Sequence, residues 1–480
     1  MVRARVALFL VGLTALLVVV FDNGGVKAGA GDSGTSAWGN VQVLASSSQY
    51  SFDPQLDVAT DGRTLAAWFG GPVPPGTTSS GRLVNPSGPP WTGSDVVLDT
   101  GTVDGGFGAP VVLSTHGSDG PEGLQVAISG AGVAYAAWEQ RRGPWMIASA
   151  IDGGAFATPH TLLPGRSRLW ALVRSPAGPV AAVWLRYASS SSARANLDYA
   201  LLRPDGSLGR VVTVGAWNGS IEGTLFALND QSEFAAVDMV GKQEEGTIPP
   251  APRVRVCNAA GRCSRAHELR FGYIPAGAYE NNAIALSEDG TVTVLASFSK
   301  PPKHPAPNTP LGLWAAVRRP GGRWSTPQKL SHGGEEPKAL ADGERSAVAV
   351  FQHFWTPDLR FLGNRLETST LPATGHRLTH PAVVQDLEAS EPATLATNLS
   401  GDYVIAGTHR ESETAGKASL LVATGGPTGL ASAQSVITGE VAGQTPPAGI
   451  DRSGDVVVLW HEDTGSGGQG IFVATRHTKA

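Results

Sequence analysis

Five glutamates stand at one position of a repeating pattern. Glu122, Glu222, Glu280, Glu336 and Glu391 each precede by five residues an alanine of an apolar segment: Ala127, Ala227, Ala285, Ala341 and Ala396. Arg168 and Gln444 hold that position in two further copies, and Asp53 lies one residue out of register in the first. Carboxylates gathered in this way supply the oxygen ligands that hard divalent cations prefer, or a surface for a basic partner. The structural alternative is a repeated Glu that accepts backbone N–H bonds from a neighbouring loop. Three histidines, His353, His409 and His461, stand at or just after the second apolar segment of their copies, which puts them on the face of the variable loops that follow it. His461-Glu462-Asp463 and His409-Arg410-Glu411 set acid and base types side by side, as metal binding or proton transfer requires. No GxSxG elbow, HExxH helix, P-loop or strand-borne GxGxxG occurs in the chain.

The pattern that carries these residues sets the architecture. A short apolar segment runs into a Gly-containing turn, and a second apolar segment follows, often ending in Trp. The clearest copies are Leu56–Trp68, Leu124–Trp138 and Ala448–Trp460. Five weaker ones begin at Ala171, Leu225, Ala283, Ala339 and Thr394. Each copy has a second half after a variable loop: an apolar segment, a Gly-rich turn and an extended piece, as in Ile147–Leu163 and Leu313–Leu330. With 61 Gly and 34 Pro and only 16% charged residues, the composition suits many short strands joined by tight turns.

Four short antiparallel strands, A to D, in each of eight copies predict an all-β fold, an eight-bladed β-propeller over residues 38–480. Seven blades is the alternative, because the sixth and seventh copies are worn. The last copy lacks a D strand after Ile471–Arg476. The segment Trp38–Leu44 resembles the D-strand text RWSTPQKL of another copy. It is expected to complete the last blade and close the ring, removing an open sheet edge. The tryptophans ending strand B (Trp68, Trp138, Trp184, Trp460) are expected to pack between blades, with a sugar platform as the competing reading.

If strand A is innermost, the short, uniform A–B and C–D turns share one face. The long, dissimilar B–C and D–A loops share the other, which is the candidate binding face. The repeated glutamates would then ring the channel mouth on that face, where a divalent cation is conceivable and no other cofactor is implied. Net charge is −5, which gives no field for nucleic acid or an anionic membrane.

Arg3 and Arg5, the apolar run Val6–Phe21 and the small residues Ala28-Gly29-Ala30 read as a signal peptide over 1–30, or an N-terminal anchor, followed by a linker at 31–37. A secreted or extracytoplasmic, monomeric protein is expected. Cys257 and Cys263, separated by the turn-like NAAGR, are then expected to form a disulfide.

The Gly-rich propeller repeat resembles the sialidase-like superfamily. That family's Asp-box, Ser-x-Asp-x-Gly-x-Thr-Trp, has its nearest text at Ser287–Thr291, which lacks the spacing and the Trp and sits in an A–B turn. The Arg-Ile-Pro signature is absent, and the family's catalytic residues find no positions here. The repeat also looks like those of secreted bacterial propellers; Gly105–Leu113 and GGRWSTPQKL carry that likeness, which implies a fold and export rather than a reaction. The expectation is an exported, non-catalytic binding or scaffolding module with a protein or glycan ligand on the B–C/D–A face. A glycan-acting hydrolase of the sialidase-like kind is the alternative.

Overall fold

The computed structural model describes residues 38–478, except 46–48, 73–94, 115–120, 141–142, 166, 188–194, 218–222, 225, 241–250, 272–278, 301–308, 332–333, 342–346, 356–360, 373, 389–392, 411–417, 427–428, 432, 440–444 and 464–468. Every B–C and D–A connection falls wholly or partly in these segments, whereas the A–B turns other than the sixth are described. The expected signal segment and linker lie outside the described residues.

Among the described residues the strands sort into eight sheets, each built on four antiparallel strands. Their A strands are Gln49–Val58, Pro121–Ile128, Ser167–Arg174, Phe226–Leu228, Tyr279–Leu286, Gly334–Ala341, Thr394–Thr397 and Ala448–Ile450. Each A strand touches the next in this order, and the first also touches the last. This is an all-β propeller of four-stranded antiparallel blades. Among the described residues one pairing is parallel. Gly223–Thr224 runs parallel to Asn282 and Ala283, adding a short strand to the inner edge of the fifth sheet.

The A–B turn explains why Gly recurs. Gly62, Gly132, Gly290, Gly401 and Gly454 take φ of +80° to +85°, a region that strains any residue with a Cβ. Each N–H bonds the carbonyl three residues back, as in Gly62 to Ala59 (3.0 Å) and Gly132 to Ser129 (2.8 Å). The strand partners then resume one residue on, a type I turn with a left-handed residue that matches the twist of a hairpin. In the fourth sheet Ser232 takes this position at φ +66°.

The B strands are buried on both faces, which is why they read as near-continuous apolar runs. Trp68, Trp138, Trp184 and Trp460 are buried in the apolar clusters between sheets. Packing, not ligand display, is their role.

The N-terminal segment does pair with the last sheet. Gln42–Ala45 lies antiparallel to Gln469–Arg476, with Gln42 opposite Val473 and Val43 opposite Phe472. The regular strand begins at Gln42 rather than Trp38, which makes only an isolated bridge to Arg476. The likeness to RWSTPQKL extends to contacts. Gln42 bonds the backbone of Phe107 in both directions (3.0 and 3.1 Å), and Gln328 does the same to Leu378 (3.0 and 3.0 Å). Arg476 lies 5.7 Å over Trp38, and Arg318 lies 5.7 Å over Trp324. The bridge position Arg318–Trp324 is Leu202–Leu208 in the third sheet and Cys257–Cys263 in the fourth. The disulfide therefore replaces a noncovalent contact that other blades make across the C–D turn.

Candidate functional site

On the A–B face, turns two to five are tied to one another in sequence, and so are turns seven, eight and one. Gly130 N–H donates to Gly178 O (2.8 Å), from the second turn to the third. Ala177 N–H donates to the Asp230 carboxylate (2.9 Å), from the third to the fourth. Asp230 N–H donates to both oxygens of Glu288 (2.9 Å each), and Asn229 Nδ2 to Ser287 O (3.2 Å), from the fourth to the fifth. Asn398 Nδ2 donates to Asp451 O (2.7 Å), from the seventh to the eighth, and Arg452 N–H to Thr60 O (3.1 Å), from the eighth to the first. Short polar residues suit these corners because they also cap their own turns. Asn229 and Asn398 each accept an N–H four residues on, and Asp451 accepts those of Ser453 and Asp455.

Two acidic groups on this face are electrostatically tense. Burial and the nearby charges of Asp230 and Glu233 push Glu288 up to about 7, against the opposing bond from Asp230 N–H. Asp57 is buried on the innermost strand of the first sheet. Arg174 of the third sheet pairs with it at 2.8 Å, and the N–H groups of Ile128 (2.6 Å) and Val58 (3.0 Å) donate to it. Burial nevertheless leaves the Asp57 carboxyl above its ordinary range.

A third group mixes donor types. Asp104 of the first sheet's C–D turn, Asp455 at the end of the eighth A–B turn and His477 just past the last strand converge. Their ligand-type atoms all lie within 4.8 Å of one another. His477 Nδ1 stands 3.3 Å from Asp455 Oδ2 and 3.5 Å from Asp104 Oδ1. The other oxygen of Asp455 accepts Thr478 N–H at 2.6 Å. Burial opposes ionisation of Asp455, but the bonds from Thr478 and the neighbouring His477 outweigh it and hold the carboxyl below its ordinary range. Next to it, Asp451 is pushed up, chiefly by burial and further by the charges of Asp455 and Asp104. Reading by repeat position passed over this set, because no single copy contains it. Asp451–Asp455 is an ordinary A–B turn of the repeat. Nothing in sequence spacing brings Asp104 and His477 to it.

The residues singled out by sequence fare unevenly. Glu122, Glu280 and Glu336 fall near the starts of their A strands, and their side chains lie outside the described residues. Glu222 and Glu391 lie outside them altogether. Glu122 is placed opposite Glu139 on the adjoining strand. His353 belongs to a B strand, its side chain also outside the described residues. His409 is half-buried. His461 is buried within strand B, which corrects the expectation of a loop-face histidine: the strand continues through Asp463 before the loop begins. Cys257 and Cys263 are bonded to each other as expected.

No family model and no curated protein matches this chain. Solved structures do. A protein of unknown function from Dyadobacter fermentans is 10% identical over 92% of this chain and 99% of its own, with a TM-score of 0.39. The WD40 domain of SCAP from fission yeast is 11% identical over 91% and 98%, with a TM-score of 0.48. An alpha-L-arabinanase from Penicillium chrysogenum is 12% identical over 74% and 92%, with a TM-score of 0.38. All three TM-scores lie below 0.5, so the fold assignment rests on this chain's own strand topology.

Proposed function

We propose that this chain is an exported β-propeller whose eight sheets form one ring closed by the N-terminal strand, and that it works as a binding or scaffolding module. Its ligand, a protein or a glycan, docks on the B–C/D–A face. The observation that carries this reading is the contrast between the two faces. On the A–B face the polar groups of turns two to five, and those of turns seven, eight and one, are engaged with each other. That face is a brace. The loops left for recognition are the ones whose sequences differ from copy to copy, such as KQEEGTIPPAP and KPPKHPAPNTP. Export is supported by the N-terminal basic and apolar segment and by the Cys257–Cys263 disulfide.

The test is a glycan array and a surface-protein binding screen on the secreted chain, run beside a fluorogenic glycosidase panel. Saturable binding that is lost when the 301–308 and 241–250 loops are replaced by Gly-Ser segments supports the module. Turnover of any glycoside would overturn it in favour of the hydrolase alternative. Retention of the chain in the cytoplasm would overturn export.

A further inference from the structure

We propose that Asp104, Asp455 and His477 bind a divalent cation of the zinc class, and that the ion ties the C-terminal segment to the first sheet. The proposal concerns the opposite face from the ligand-binding loops and stands independently of them.

The argument begins with donor chemistry. One imidazole nitrogen and two carboxylate oxygens form a borderline ligand set that suits zinc-like ions. Such ions sit about 2.0–2.2 Å from N and O ligands, which places tetrahedral ligands about 3.4 Å apart. The two distances from His477 Nδ1, 3.3 Å and 3.5 Å, already have that value. The group is thus spaced for an ion to enter with small adjustment.

Second, the donors are held from outside the set. Thr478 N–H fixes one oxygen of Asp455, leaving Oδ2 turned to the imidazole. Metal-binding carboxylates are commonly oriented by such outer hydrogen bonds. Asp104, by contrast, is 90% exposed in its side chain. It gives access for ion entry and leaves room for water to complete the coordination.

Third, two carboxylates, of Asp104 and Asp455, face one imidazole, and a divalent ion offsets the charge of both.

Fourth, the position has a mechanical meaning. The eighth and first sheets meet through a closing strand of four residues, the Gln42–Phe107 bonds, the Arg452–Thr60 bond and a shared apolar cluster. The three donors come from the first sheet, the eighth A–B turn and the chain's last residues, so one ion bridges all three.

The experiment uses the full secreted chain without a histidine tag, stripped with chelator, at pH 7.5. Calorimetric titration with zinc, cobalt, calcium and magnesium chlorides reads stoichiometry and affinity. Cobalt adds a visible-absorption signature of its coordination. One zinc ion per chain is expected, with a raised Tm and slower hydrogen exchange in Gln42–Ala45 and Ile471–Arg476. Asp104→Asn and His477→Gln are each expected to weaken zinc binding at least tenfold. Asp104 is exposed, so its variant should keep the metal-free Tm of the parent, which separates lost binding from misfolding. Absence of zinc binding up to millimolar concentration overturns the proposal. So does zinc binding that both variants leave unchanged, or binding of calcium or magnesium alone. Zinc bound at these residues without slower exchange in Gln42–Ala45 overturns the closure role.

Discussion

Replacing Leu44 with Ala tests whether the N-terminal strand holds the eighth and first sheets together. Leu44 is 7% exposed and packs among Val58, Trp68, Phe107, Val457, Leu459 and Val473, residues of both sheets. Its neighbour Val43 is 55% exposed. The substitution removes three carbons, about 2.4 kcal/mol of transfer free energy at about 0.8 kcal/mol for each. A cavity term adds to this where the surroundings cannot collapse. Gln42–Ala45 is the outermost strand of its sheet and can settle inward, so that term is small, and the total is about 2–3 kcal/mol. Val43→Ala should cost about 0.5 kcal/mol or less, because its side chain already meets water. The assay is urea unfolding of both variants, with hydrogen exchange of Ile471–Val473 followed by mass spectrometry. Leu44→Ala should shift the midpoint and deprotect these amides together with those of Val457–Leu459. Equal costs for the two variants, or a loss confined to residues 42–45, would refute the view that this strand couples the two sheets.

Three further outcomes follow from the A–B face and the C–D turn. Glu288 rises from 4.5 to about 7 on folding, so the folded protein binds the extra proton and stability falls as pH climbs through that window. After discounting for its half-exposed position, the loss is about 1–2 kcal/mol by pH 8. Glu288→Gln should abolish it, and a Tm–pH profile that keeps the parent's slope would contradict this. Arg174→Ala leaves the buried Asp57 carboxylate without its cation and should cost about 3 kcal/mol, whereas Asp57→Asn with Arg174→Ala together should recover part of that in a double-mutant cycle. Reduction of Cys257–Cys263, which closes a loop of six residues' separation, should lower stability by about 2 kcal/mol in a thermal melt with and without reductant. No change on reduction would mean that the C–D turn is held as well by its noncovalent bridge as in the third and fifth sheets.

The sequence by itself determined the strand order, the turn type and the unusual ending. Strand identity was legible because a buried B strand must be apolar on both faces, and because the A–B turn demands a residue at positive φ. Both are local requirements that leave marks in every copy, such as Ala66–Trp68 and Gly62. The N-terminal completion was legible because Trp38 and Gln42 repeat the spacing of Trp324 and Gln328, and the contacts proved equivalent. His461 shows where this kind of reading fails: its position at the end of a B strand said nothing of how far the strand runs, and burial followed from that length. The convergence of Asp104, Asp455 and His477 was decided by tertiary structure alone. It arises where the two ends of the array meet, a junction that no copy of the repeat contains, so comparison between copies has nothing to register there. Periodic constraints are written into periodic sequence; the contacts between the first and last copies are set by the tertiary structure.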